Sequence, residues 1–500
     1  MNYSVTTILA RLEHVLEQTA RLERRHAGWL KGVHPAYAGS ARNLLAYVAL
    51  RQHNMRGVQQ RLEALGMAHF GNAVPHVEAT LHNIRQLLQL TLGRKAAPPY
   101  VSLTCRRANT LHSEHTAQLF GGRRLNGTRI MVTVSDDAMA DARRFAALMT
   151  GGMNVVRINC AMGGPQTWEP LITQIRKASR RTGRTCQVLM DLGGPKLRTG
   201  PIAHTSGIRE SQKIPLKFGD ELVIHRAPLP GERAVVDRYG RCLHPAHISC
   251  TFPGIFSCVR RGDPLFFDDG MIEGVVRKVS PEAMRVKILR TSGVSANLRA
   301  DKGINLPSTR RLPAGLTRRD LQHLRFVAEH ADIVSLSFVH GPDDVRALLA
   351  ALRRLNAEHL GVVVKIETQQ AYRCLPAIVL AAMRHPGTGL LIARGDLAVE
   401  CGWEHLARIQ EEILLCAGAA HMPVFIATQV LEKLTKKGIP TRAEILDAAQ
   451  AGRADCVMLN KGPHVLAAVR MLKKILSSTA VYRHGGVPLL SPLFLSLDTP

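Results

Sequence analysis

An α/β chain built on a closed (β/α)8 TIM barrel is the fold the sequence predicts, with an inserted β-barrel-like domain and an N-terminal helical domain. Three observations predict it. Eight short β-branched runs alternate with amphipathic segments, as parallel strands with crossover helices require. The alternation is broken once, after the third run, by turn-rich, strand-like sequence. The runs are apolar inside and polar at their ends, the pattern of a barrel whose reactive groups gather at the C-terminal ends of its strands.

Taken in order, residues 1–92 carry apolar residues at spacings of three and four (Leu12, Val15, Leu16; Leu44, Leu45, Val48) and no alternating run, so a small helical domain is expected. Packing or dimerisation accounts for such helices, and no chemistry is assigned to them. From 93 to 127 the pattern fades into Ala-Pro-Pro and then Arg-rich, Gly-rich sequence, which reads as a linker. The barrel is expected over 128–200 and 302–480, with strands at 129–135, 154–160, 186–191, 332–338, 361–367, 390–396, 423–429 and 455–460. The helices between them are amphipathic: over 342–355, Val345, Leu348, Leu349, Leu352 and Leu355 share one face. The insert occupies 201–301, with strand-like stretches at 217–226 and 284–289, and 481–500 is left as a tail.

A hydrophobic content of 46% supports a large core. Basic residues exceed acidic ones by 66 − 39 = 27, which suits anionic partners. They are scattered, however, and with only 4% aromatic residues for base stacking no nucleic-acid partner is expected. Glu13 and Glu17 stand where a signal peptide needs an apolar core, and 487–497 is short and broken by Pro488 and Pro492, so neither targeting nor a membrane is indicated. The ten cysteines form no CxxC pair, and Cys160, Cys186 and Cys456 sit in or beside apolar strands, as reduced thiols of a cytoplasmic protein do. Cys242, His244, His247 and Cys250 have a spacing that could ligate zinc, but in a chain with 22 histidines coincidence is the simpler reading.

The strand ends carry the chemistry. Arg157 and Asn159 end the second strand, Asp191 the third, Lys365 and Glu367 the fifth, Arg394 and Asp396 the sixth, Thr428 and Gln429 the seventh. Each alone reads as a solvated strand end; converging on one face they read as a site. Glu367 and Asp396, on adjacent strands, can offer two hard oxygens to Mg2+ while leaving its other positions to water and phosphate. Lys365 lies two residues before Glu367 on the same strand face, within reach of charge developing beside the metal. Arg157 supplies a fork for a phosphoryl group. The segment 193–196 (GGPK) lacks the length of a Walker A loop, so any nucleotide is held differently.

At these residues the chain resembles pyruvate kinase, over roughly 128–476. The motifs are NVVRIN at 154–159, DLGGPKLRTG at 191–200, KGINLP at 302–307, KIE at 365–367, ARGDL at 393–397, ATQ at 427–429 and PTRAE at 440–444, with Asp268, Asp269 and Gly270 resembling the signature of the family's lid. The resemblance implies that Glu367 and Asp396 bind Mg2+ or Mn2+, that Lys365 stabilises the transferring phosphoryl group and the enolate oxygen, and that Arg157 contacts phosphate. It further implies that Thr428 and Gly395 cradle the pyruvate moiety, and that Asn159 and Arg198 face the nucleotide. The implied substrates are phosphoenolpyruvate and ADP, and the reaction is in-line phosphoryl transfer followed by protonation of the enolate.

The departures are as informative. Ala161 and Met162 stand where the family usually has Ser-His, which removes a hydroxyl ligand of a monovalent cation and a nucleotide-side imidazole. Leu192 replaces a usual Thr, Gly193 a usual Lys, and Lys196 a usual Glu. Family members that work without potassium resemble this chain at Lys196, whose fixed ammonium can replace the cation's charge, so K+ is not expected to be required. After the eighth strand, NKGP at 460–463 replaces the usual Ser-Gly-Glu-Thr. The family's C-terminal effector domain is not expected here, so effector control at that domain is not expected either, and a homo-oligomer of undefined size is left open. Two other readings stand beside the kinase: a lyase or aldolase of phosphoenolpyruvate or pyruvate on the same barrel, and a catalytically silent relative that binds a phosphorylated ligand or a protein partner.

Overall fold

The computed structural model describes residues 4–67, 70–95, 103–121, 127–134, 141–203, 213–309 and 315–480, and the backbone of 483–484 and 487–488. Residue 135 of the expected first strand and most of the expected tail lie outside the described residues. Eight parallel strands close into the expected barrel: β1 (Arg129–Val134), β2 (Met153–Asn159), β3 (Gln187–Asp191), β4 (Ile333–Leu336), β5 (Gly361–Ile366), β6 (Thr388–Ala393), β7 (Val424–Ala427) and β8 (Cys456–Leu459). Each pairs with its sequence neighbours, and β1 closes on β8 with Arg129 opposite Cys456.

Three strands end two or more residues earlier than expected. The segment 390–396 does not stay extended: β6 stops at Ala393 and a helix, Arg394–Cys401, begins at once, so Arg394 and Asp396 belong to its first turn. After β4 the chain turns at Phe338, whose φ of 53° aims its N–H at Glu367. Thr428 and Gln429 likewise leave β7 with left-handed φ values of 68° and 58°.

The expected linker is a correction. Within 93–127 the helix Cys105–Leu119 forms, capped by the Thr104 side chain. Its buried stripe, Ala108, Leu111, His115 and Leu119, follows the spacing of three and four that arginines and polar residues mask in the sequence. The helix runs to the floor of the barrel, where Leu119 and Phe120 pack with Met131, Val155, Leu189, Ile333, Val363, Leu391 and Phe425. Gly361 and Gly389 line this contact, since a side chain at either would meet Leu119 within 3 Å. Truncating Phe120 to alanine opens the floor, and a loss of about 3–5 kcal/mol, read as a lower urea midpoint, is the expected result.

The described residues of 1–92 fold mainly into helices as expected, but they share one hydrophobic core with the outer helices of the barrel. Asn43 shows how they dock. Its amide donates to Val74 O and Ala419 O at 2.9 and 2.8 Å and accepts from Val77 N–H, so all its buried polar atoms are satisfied across the junction.

The insert is a six-stranded sheet in the order Ile304–Asn305, Pro264–Phe267, Ile272–Val279, Ala283–Thr291, Glu221–His225, Ala246–Ser249. A two-stranded ribbon, Ser295–Leu298 with Ile214–Lys217, shares its core. The expected strand at 217–226 is two strands broken at Gly219, whose φ is 88°. Cys242 and His244 lie exposed on a short strand whereas Cys250 is buried, and among the described residues no group of three or more His, Cys, Asp or Glu is arranged to hold a metal.

Candidate active site

The C-terminal mouth of the barrel gathers a buried charged cluster. Asp191, at the end of β3, is its hub. Arg157 from β2 donates Nε and Nη2 to Asp191 Oδ2 at 2.9 and 2.6 Å and Nη1 to Thr133 Oγ1 at 3.0 Å. Ser335 and Ser337, two residues apart at the end of β4, donate to Asp191 Oδ1 at 2.5 and 3.1 Å. Lys365 from β5 donates to Ser337 Oγ at 2.8 Å and lies 3.4 Å from Asp191 Oδ2. Burial alone would push the Asp191 carboxyl up; the Lys365 ammonium, the Arg157 guanidinium and the Ser335 hydroxyl together hold it well below the usual carboxylate range.

Glu367 is 1% exposed and stands on the other side of Lys365, with Oε2 3.4 Å from its ammonium and Oε1 accepting the Phe338 N–H at 2.5 Å. Burial raises its pKa; Lys365 pulls it down, and the neighbouring Asp396 carboxylate pushes it up again. Two carboxylates crowded in this way suit a divalent cation, which would relieve their repulsion with hard oxygen donors. Asp396 is already engaged: Lys196 Nζ lies 2.9 and 3.3 Å from its oxygens and Asn305 Nδ2 is 3.4 Å away. A cation held there would have to share Asp396 with the Lys196 ammonium or displace it.

Lys196 is held in place by its surroundings. Its ammonium sits 5.2 Å from the centre of the Phe338 ring and 3.9 Å from Asp269 of the insert. A methyl group at Gly303 would lie 2.6 Å from its Cε, so a side chain there would push the ammonium off Asp396. The preceding turn needs Gly194, whose φ is 64° and whose Cβ position is 2.9 Å from Ser337 O.

The remaining expected residues divide. Thr428 accepts the Gly395 N–H at 3.0 Å, joining the end of β7 to the first turn of the helix that carries Asp396. Arg157 and Asn159 line a cavity of about 290 Å³ with Thr133, Glu432, Lys436 and Lys461. Arg198 is not brought there: it donates to Asp301 O at 2.9 Å at the root of the insert. Arg394 turns away into a fork on Asp447 at 2.5 and 2.9 Å, with a further bond to Thr428 O. The sequence reading missed Ser335, Ser337, Asn305 and Glu400 as parts of the cluster. The serines had a signal, because a spacing of two puts both on one strand face; Asn305 lay inside the 302–307 motif with no role assigned, and Glu400 follows Asp396 at a helical spacing of four.

A closed (β/α)8 barrel with acids and an ammonium gathered at its C-terminal mouth, beside an inserted β domain, belongs to the class of α/β-barrel proteins whose active sites form at that end of the strands. The family described as pyruvate kinase, barrel domain, matches residues 125–463, and the chain belongs to the pyruvate kinase family. It is 31% identical over 355 residues to the pyruvate kinase of Geobacillus stearothermophilus, covering 70% of this chain and 56% of that protein. It is 30% identical over 365 residues to that of Thermococcus litoralis (strain ATCC 51850 / DSM 5473 / JCM 8560 / NS-C), covering 72% and 70%. For Bacillus licheniformis the figures are 29% over 359 residues, 70% and 56%, so the match spans only about half the length of two of these relatives. Among the described residues no helix is long and apolar enough to cross a membrane, and all ten cysteines are free thiols.

Proposed function

We propose that this chain transfers the phosphoryl group of phosphoenolpyruvate to ADP, giving pyruvate and ATP, with Mg2+ or Mn2+ and without a requirement for K+. The observation that carries this reading is the buried ammonium of Lys365 set between Asp191 and Glu367, with Asp396 adjacent. Glu367 and Asp396 would hold the divalent cation, whose charge offsets that of the phosphate oxygens when it is bound. Lys365 supports the charge that develops on the transferring group and on the enol oxygen, and Arg157 presents its guanidinium to phosphate. Thr428 and Gly395 shape the wall beside the pyruvate moiety, and Asn159 and Arg198 serve the nucleotide. A terminal oxygen of ADP attacks phosphorus in line, the bond from phosphorus to the enol oxygen breaks, and the enolate takes a proton on carbon. The insert at 201–301 closes over the site as a lid, water is excluded, and the electrostatic terms strengthen. Free thiols and the absence of an apolar span among the described residues support a cytoplasmic protein.

A coupled assay of pyruvate and ATP from phosphoenolpyruvate and ADP tests the reading. Equal amounts of both products are expected. Pyruvate with inorganic phosphate in place of ATP means that water, not ADP, takes the phosphoryl group, and overturns the kinase; ligand binding without turnover identifies a silent relative, the reading that Ala161, Met162 and the 460–463 loop favour. Potassium independence is supported by Lys196, whose ammonium is fixed inside the site, and by Ala161 and Leu192, which offer no side-chain oxygen to a monovalent cation. Rates are expected to be the same in K+ and in tetramethylammonium salts, and a rate that appears only with K+ overturns this part of the proposal.

A further inference from the structure

Asn305 stands where the chain returns from the insert, in the short strand Ile304–Asn305 that pairs with Pro264–Phe267. Its side chain is buried, the residue being 4% exposed, and its amide nitrogen faces two carboxylates: Glu400 Oε1 at 3.1 Å and Asp396 Oδ1 at 3.4 Å. These two acids are four residues apart on one face of the helix Arg394–Cys401. Asp396 orients the amide, because turned over it would set its oxygen against Oδ1, which already accepts from Lys196. The oxygen is buried without a protein partner, beside a cavity of about 30 Å³ that Asn305 lines together with His340, Thr368, Glu400 and, from the root of the insert, Leu197 and Phe252. Lys196 Nζ takes the same Asp396 Oδ1 at 2.9 Å, so Oδ2 is the less engaged oxygen.

We infer that Asn305 is a positioning residue for the divalent-cation site: carried on the return strand of the insert and braced by Glu400, its amide holds Asp396 in the orientation in which it meets Glu367. The inference rests on the reading of Glu367 and Asp396 as cation ligands. It adds a physical link between insert and cation, since a movement of the return strand moves the donor that orients the ligand. Groups that orient a metal ligand from behind usually change affinity when lost, although they never touch the metal.

The test is Mn2+ binding to the full-length chain without substrates, followed by the electron paramagnetic resonance of free Mn2+, for the wild type, Asn305→Ala and Asn305→Leu, with thermal midpoints measured alongside. Leucine is close to asparagine in volume and keeps the site filled while removing the N–H donors. Both variants are expected to weaken Mn2+ binding roughly 10-fold or more. In turnover, the Mn2+ concentration for half-activation is expected to rise by more than kcat falls. Wild-type affinity in a folded Asn305→Leu overturns the inference and leaves the cation site standing. No saturable Mn2+ binding by the wild type overturns the cation site and the inference with it.

Discussion

Replacing Lys365 with methionine is expected to lower kcat for pyruvate formation by roughly 10²–10³-fold, the usual cost of removing one preorganised group aimed at transition-state charge. Methionine keeps the length and apolar stem of the side chain, so the change is close to a deletion of the ammonium. Asp191 keeps Arg157, Ser335 and Ser337 as partners, and the fold should survive. Glu367 loses the ammonium 3.4 Å away and, crowded by Asp396, takes up a proton more readily. The check is steady-state turnover with circular dichroism and thermal melting on the same samples, and Glu367→Gln serves as a companion that removes a proposed cation ligand and leaves Lys365 in place. A folded Lys365→Met protein with wild-type kcat would remove the ammonium from the chemistry.

The second large effect concerns stability. Asp191→Ala should destabilise the chain by about 3–5 kcal/mol, because it leaves the Arg157 and Lys365 charges buried without their shared counter-charge. Asp191→Asn keeps the size of the side chain and removes only the charge, so a smaller loss is expected. The pH dependence follows from the depressed pKa of Asp191. A carboxyl held lower in the folded chain than in the unfolded one contributes its full stabilisation above the unfolded value of about 4, and loses it as pH falls toward the folded value. The gap in stability between wild type and Asp191→Asn should therefore be widest near neutral pH and narrow on acidification. Urea titrations at several pH values measure it, and a gap that grows in acid contradicts the assignment.

Some of this was legible in the residue order. All eight barrel strands lay within three residues of their expected starts, because β-branched runs of four to seven residues flanked by amphipathic helices satisfy one period or the other and little else. The acids, the ammonium and the arginine of the site could be named for the same reason: each stands where an apolar strand turns polar. Arg394 shows the limit of that rule. Its polar position at the end of β6 looked the same as that of Asp396, yet the helix that begins there turns it onto Asp447. The helix Cys105–Leu119 went unread because its buried stripe is narrow and its flanks are arginine-rich.

Local pattern by itself determined the barrel, the insert and the set of charged residues at the mouth, since strand and helix periods are short-range properties of the chain. Tertiary structure alone decided which charges meet. Lys196 reaches Asp396 across 200 positions, and Asn305 reaches it across 91. Leu119 and Phe120 close the floor under strands drawn from the whole barrel. The physical reason is that an ion pair or a packed contact depends on distance in space, and no periodicity in the sequence encodes where the path of an insert returns to the barrel.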